Sequence, residues 1–238
     1  MTSVPSCAMV LAAGFGRRMQ PLTNDRPKPL VEVAGRPLLD WALAVLGDAG
    51  VAQVVVNVHY LAEQIEAHLV AIESGPRVRI SDERDCLLET GGGITRALPL
   101  LDCDPFLAIN TDCVWLQGRA RAVARLAEAW DDTQMDALLL LVPKAQAHGY
   151  AGTGDFSRDE LGRLTRQPGE TPAPFVYTGL QMLSKRLFAG WRAEPFSMRV
   201  LWDAAAAAGR LRGVVHDGYW HDVGTVQAKI QLEEALCG

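Results

Sequence analysis

The chain has no uninterrupted apolar run that approaches the ~20 residues a membrane span requires. It also has no charged segment ahead of Cys7 of the kind that opens a secretory leader. Basic residues are in deficit: 23 Lys and Arg stand against 28 Asp and Glu, a formal net charge of -5. That balance argues against a nucleic-acid partner. Cysteine is scarce, and the five present (Cys7, Cys86, Cys103, Cys113, Cys237) are odd in number with no C-x-x-C spacing. They are expected to be reduced, partly buried thiols rather than a disulfide or metal framework. A cytoplasmic protein, free of membrane and nucleic acid, follows as the expectation. The 238 residues, 49% hydrophobic, suffice for one large α/β domain and are too few for two ordinary ones.

What is present is concentrated in one loop. Residues 8–13 form an apolar run, the pattern of a parallel strand covered on both faces. Gly14 and Gly16 then allow a sharp turn and a close approach of backbone N–H groups to an anion. Between positions 17 and 28, Arg17, Arg18, Arg26 and Lys28 face the single acid Asp25. In an acidic chain, this local reversal of sign points to a polyanionic ligand. Pro27 and Pro29 flank Lys28 and are expected to hold its backbone extended. A nicotinamide-binding reading fails, because the third glycine of that fingerprint is replaced by Met19 and no acid follows at the expected strand end.

Further on, helices are expected over 37–49, 61–73, 118–130, 198–208 and 226–236, and strands over 53–59, 77–81, 105–111, 135–142, 175–183 and 210–216. The predicted fold is α/β: a single Rossmann-like domain, residues 1–238, with a mostly parallel sheet and helices on both faces. The polar stretch 144–171 is expected to form a small projecting hairpin. Three consecutive glycines, Gly91, Gly92 and Gly93, read either as a loop that admits a ligand against backbone or as a hinge, with a short helix over 94–98. Asp112 stands at a strand's carboxyl end, where it suits either a metal-held phosphate or a helix cap. Asp222, with Thr225, carries the same two readings. His59, at another strand end, is either a ligand contact or a packed ring.

Gly14-Phe15-Gly16-Arg17-Arg18-Met19-Gln20-Pro21-Leu22-Thr23, followed by Pro27-Lys28-Pro29, resembles the signature of the sugar-1-phosphate nucleotidyltransferases. Asn110-Thr111-Asp112 and the segment Trp220-His221-Asp222-Val223-Gly224-Thr225 resemble two further stretches of that family. The resemblance implies a nucleoside triphosphate and a sugar-1-phosphate as substrates, with Mg²⁺ as cofactor. It implies Lys28 and Arg18 as catalytic cations and Asp112 and Asp222 as metal ligands. Leu11, Ala12, Ala13, Gly14, Gly16, Arg17, Glu83, Thr90 and Gly92 would bind the nucleotide, within a half of about 1–116. Asn110, Gly152, Asp155 and Thr178 would bind the sugar phosphate, within a half of about 117–238.

Many relatives carry Glu-Lys-Pro in the sugar half where this chain has Gln167-Pro168, which puts a lysine contact there in doubt. The Leu-Glu-Thr-Gly-Gly-Gly form is similar to the branch that recycles the bacterial cell wall, implying UTP and N-acetylmuramate 1-phosphate. The alternative is the guanylyl branch acting on mannose 1-phosphate, for which Glu83 or Glu89 would read guanine. A regulatory binding module on the same fold would be expected to have lost Lys28 or the aspartates, and all are present. With Gly238 as the last residue, the β-helix appended in bifunctional relatives is not expected.

Overall fold

The computed structural model describes residues 3–116, 119–167 and 171–237. Gly118, Pro168 and Gly238, used above as a helix start, a missing Lys-Pro and a chain end, lie outside them. In chain order the strands are β1 (Cys7–Leu11), β2 (Glu32–Val33), β3 (Arg36–Pro37), β4 (Gln53–Val58), β5 (Arg77–Asp82), β6 (Phe106–Asn110) and β7 (Cys113–Trp115). They continue with β8 (Ala137–Pro143), β9 (Phe156–Arg158), β10 (Leu164–Arg166), β11 (Phe175–Leu183), β12 (Leu211–Val215) and β13 (Trp220–Asp222). The helices are α1 (Leu38–Asp48), α2 (Ala62–Val70), α3 (Glu89–Ala97), α4 (Arg119–Ala129), α5 (Met198–Ala207) and α6 (Val226–Cys237).

Among the described residues one sheet of nine strands runs β10-β9-β11-β6-β1-β4-β5, with β8 and β12 joined through β11. β1, β4, β5 and β6 are mutually parallel, and β11 enters antiparallel beside β6. Alternation along β1 explains the layers. Ala8 and Val10 face a core built with α1, α2 and α4. Cys7 and Met9 face the opposite core, built with α3 and α5. A third cluster, around Met19, Val31, Leu38, Val114, Val223 and Leu232, clamps the loop after β1 against α6 and the ribbon β7–β13.

Four expectations are corrected. Cys7 and Cys103 form a disulfide: Cys7 opens β1, Cys103 precedes the adjacent β6, and their Cα atoms lie 6.0 Å apart. Only Cys86, Cys113 and Cys237 are free thiols. The hairpin β9–β10 does not stand apart but extends the sheet edge, through Phe156 opposite Phe175. Lys28 begins a 3₁₀ turn with Pro29 at its second position, where the missing N–H costs nothing, so its backbone is turned rather than extended.

The largest correction concerns the glycines. They lie inside α3, and what approaches them is the chain itself. A Cβ on Gly91 would fall 2.3 Å from the Phe196 ring, and one on Gly92 would fall 2.0 Å from the Glu194 carbonyl oxygen. Gly91 and Gly92 both donate their N–H groups to the Phe196 carbonyl. In an exposed helix Gly→Ala gains about 1 kcal/mol, but here the rigid backbone oxygen reverses the sign. Gly92→Ala is expected to destabilise the protein by about 2 kcal/mol, measured as a lowered urea midpoint with unchanged slope.

Candidate active site

The carboxyl ends of β1, β4 and β6 open onto a cleft of about 650 Å³. Ligands of open α/β sheets lie at this edge because successive crossovers leave a crevice there. The loop from Ala12 to Arg18 forms one wall. Gly16 sits at φ 64, and a side chain there would meet Lys28 Cβ at 2.8 Å, so the glycine makes room for the lysine stem. The Thr23 hydroxyl donates to the Gly16 carbonyl at 3.0 Å, and Met19 is fully buried, which together fix the turn. Nothing lies within 4 Å of a Cβ built on Gly14, so the space beside that glycine is free for a ligand. Arg17 lies over the Phe15 ring at 5.1 Å.

Lys28 Nζ donates to Asp112 Oδ2 at 2.7 Å. Asp112 follows the end of β6, and its carbonyl accepts from Val223 N at 2.7 Å. The ribbon β7–β13 pairs Cys113 with Asp222, which sets the second aspartate next to the first. Gly224 separates Asp222 from the loop: a Cβ built on it would lie 3.1 Å from both Asp222 Oδ1 and Arg18 Nη2. Behind the ribbon, Asp222 N donates to the His148 carbonyl, and His148 stacks on Tyr219 at 4.6 Å. His221 Nε2 donates to the Ala228 carbonyl, so Nδ1 accepts from Tyr219 Oη. The ring is neutral, and burial accordingly holds its pKa down.

The two aspartates differ electrostatically. Burial pushes Asp112 up, but the Lys28 charge and hydrogen bond, with Arg18, more than offset it and leave its pKa lowered. For Asp222, burial and the Asp112 charge prevail over Lys28 and Arg18, and its pKa is raised to about 6. The Asp112 charge thus makes Asp222 costlier to ionise, a repulsion that a cation bound beside both carboxylates would relieve.

The residues expected to bind ligand divide clearly. Leu11, Ala12, Ala13, Gly14, Gly16, Arg17, Arg18, Lys28, Thr90, Asn110 and Asp112 all line the first cleft. Asp155 lines a second cleft of about 450 Å³ that shares Leu11, Thr90, Asn110 and Ser197 with the first. Glu83, Gly92 and Thr178 are buried behind the walls. Glu83 accepts from Asn57 Nδ2 at 2.7 Å and from Leu88 N at 3.1 Å, a brace between β4 and the start of α3. Burial raises its pKa against these two donors. The Thr178 hydroxyl is used on the Leu140 carbonyl. Gly152 is exposed beside the Tyr150 ring, outside both clefts. His59 Nδ1 donates to the Glu83 carbonyl at 2.7 Å and its ring meets Phe15 edge-on, so it packs behind the loop.

Asn57, missed in the sequence, lines the first cleft, and its Oδ1 accepts from Ala12 N at 2.7 Å. Its signal was the amide that interrupts the valines of β4, between Val56 and Val58. Arg166, Tyr177, Gln181, Arg199 and Trp202 of the second cleft were also missed.

Cations facing a carboxylate pair across such a crevice suit the handling of phosphate esters, and the class is that of phosphate-transferring α/β enzymes. The chain belongs to the nucleotidyl transferase family, whose sequence model matches residues 7–237, and it is a nucleotidyltransferase. It is 47% identical to the N-acetylmuramate alpha-1-phosphate uridylyltransferase of Caulobacter vibrioides, over 99% of both chains. It is 35% identical to the enzyme of that name from Neisseria meningitidis, over 97% of this chain and 98% of that one. The solved inositol-1-phosphate CTP transferase from T. maritima shares the fold, with a TM-score of 0.82 at 14% identity, over 100% of this chain and 97% of that one.

Because the Asp112 charge helps raise the Asp222 pKa, Asp112→Asn is expected to lower it from about 6. Removal of the neighbouring negative charge and release of the Lys28 ammonium act in the same direction. A carboxyl-carbon NMR titration of the ligand-free protein checks the sign.

Proposed function

We propose that this nucleotidyltransferase transfers a uridylyl group from UTP to N-acetylmuramate α-1-phosphate, releasing pyrophosphate. The observation that carries the substrates is the 47% identity, over 99% of both chains, to a protein of that name. The same reading assigns the product, a UDP-linked N-acetylmuramate, to peptidoglycan recycling.

In nucleotidyl transfer a phosphate oxygen of the sugar attacks the α-phosphorus and pyrophosphate leaves in line, so positioning and charge stabilisation replace covalent catalysis. The first cleft would take the nucleotide. Arg18 and the backbone from Gly14 to Arg17 would hold the β- and γ-phosphates and the departing pyrophosphate. Lys28 would move from Asp112 to the α-phosphate, where charge builds in the transition state. The second cleft would hold the sugar, with Asn110 on the boundary between the two. No general base is required, since the attacking phosphate is already ionised.

Mg²⁺ fits the donor set. Among the described residues no three His, Cys, Asp or Glu side chains gather as a metal site. Asp112 and Asp222 are two hard oxygen donors beside a phosphate-binding loop, and Mg²⁺ characteristically takes one or two carboxylates and completes its shell with phosphate oxygens and water. Bound there, the ion would neutralise charge on the phosphates.

A panel of four nucleoside triphosphates against several sugar-1-phosphates, read by pyrophosphate release, tests the substrates. UTP with N-acetylmuramate 1-phosphate is expected to lead. A kcat/KM about tenfold higher for GTP with mannose 1-phosphate, about 1.4 kcal/mol in transition-state binding, would overturn the assignment. Lys28→Met is expected to lower kcat about 100-fold or more with a smaller change in triphosphate affinity. An unchanged kcat in single-turnover measurements would remove Lys28 from the mechanism.

A further inference from the structure

Three charged side chains line the second cleft, Asp155, Arg166 and Arg199, and two of them are committed. Asp155 accepts from Tyr177 N at 2.9 Å through one oxygen and from Tyr150 Oη at 3.1 Å through the other. Arg166 is bound through two of its nitrogens to both oxygens of Asp203, at 2.8 and 2.6 Å. Asp203 lies one turn beyond Arg199 on α5 and is the acid nearest it along that helix. Its carboxylate is already held in a bidentate pair, so Arg199 keeps an exposed guanidinium with no hydrogen-bond or ion-pair partner among the described residues. The charge of this guanidinium reaches Asp203 only at a distance, behind the Arg166 pair.

The start of α5 adds no free donors of its own. Met198 N donates to Thr90 Oγ1 at 2.9 Å and Arg199 N to the capping Ser197 Oγ at 3.3 Å. An anionic group entering the cleft therefore meets the Arg199 side chain, not a ring of backbone amides. The phosphate of the sugar substrate does not explain this cation. Phosphate chemistry belongs to Lys28, Arg18 and Asp112 in the first cleft, and none of those three residues lines the second. An anion on the sugar itself does explain it.

We propose that Arg199 is a specificity-determining residue that binds the carboxylate carried by the sugar substrate, the lactyl ether of an N-acetylmuramyl group. The inference rests on the substrate reading given above and names the residue that reads it. A guanidinium suits the role because its planar donors match a carboxylate in two parallel hydrogen bonds. The site lies away from the reacting phosphorus, so the contact is held equally in ground and transition states and acts on KM rather than on kcat.

The test compares N-acetylmuramate 1-phosphate with the same sugar phosphate bearing a lactyl amide, using the wild-type protein, Arg199→Gln and Arg199→Lys with UTP. The wild type is expected to prefer the carboxylate about 10- to 100-fold in kcat/KM, the weight of one charge-assisted hydrogen-bonded pair. In Arg199→Gln that preference collapses to near unity, through a raised KM for the carboxylate substrate. Arg199→Lys keeps part of it. Arg199 is exposed, and its side chain makes no hydrogen bond or ion pair among the described residues, so the variants are expected to fold; thermal melting at the wild-type midpoint checks this.

A wild-type preference that survives intact in folded Arg199→Gln overturns the role of Arg199 and leaves the substrate reading standing. A loss in Arg199→Gln that is equal for carboxylate and amide also overturns it, by revealing a structural role. A wild-type protein that turns over mannose 1-phosphate but neither lactyl sugar overturns the substrate reading, and this inference with it.

Discussion

Two carboxylates set side by side in a half-buried crevice repel each other, and the rest of the site is arranged around that repulsion. Asp112 is stabilised by an ammonium 2.7 Å away. Asp222 makes no ion pair among the described residues, and burial with the Asp112 charge raises its pKa to about 6. This asymmetry needs structure to maintain it. The ribbon β7–β13 fixes the separation, a buried cluster presses the arginine-bearing loop against the ribbon, and Gly224 lets the Arg18 guanidinium come close without a side chain in the way. Charge on one side and packing on the other are thus parts of one design. Burial raises the electrostatic energy of the pair, and the apolar contacts of Met19, Val114 and Val223 supply the stabilisation that holds it.

The frame was legible in the sequence where a local pattern sufficed. β1, β4 and β6 are short, mostly apolar runs, and their carboxyl ends locate the crevice without further information, while β11 was legible as a strand but runs antiparallel to them. The loop after β1 was legible because glycines and cations there contradict the composition of the whole chain. Short strands were not: β7 and β13 have three residues each, too few to show a period, and their pairing joins distant parts of the chain. The disulfide was invisible for a related reason, since Cys7 and Cys103 become neighbours only once β1 lies beside β6. Glu83 illustrates a chemical limit. An acid at a strand end looks the same in sequence whether it meets a ligand or, as here, braces Asn57 and Leu88 in the interior.

The glycine run was misread because helix propensity and tertiary packing oppose each other there. Gly is a poor helix former, yet α3 passes straight through all three, with Glu83, Asn57, Glu194 and Phe196 filling the volume that side chains would have taken. The exchange is thermodynamically sound, since the lost propensity is about 1 kcal/mol per residue while the close approach brings a loop carbonyl onto two helix N–H groups. It also joins the two walls of the crevice. Phe196 grips α3, Ser197 caps α5, and Thr90 accepts a hydrogen bond from Met198, so the walls of the first and second clefts are one rigid piece.

That rigid junction makes the two clefts neighbours with a common wall of Leu11, Thr90, Asn110 and Ser197. A molecule long enough to occupy both crosses no solvent gap and needs no hinge motion between them. Its second end is delivered to its site at the millimolar effective concentration of a short linker, so two weak attachments combine into one strong one. Compounds that join an occupant of one cleft to an occupant of the other by a stiff bridge of matching span inherit this advantage from the fold, whereas halves supplied separately each lose their own freedom on binding.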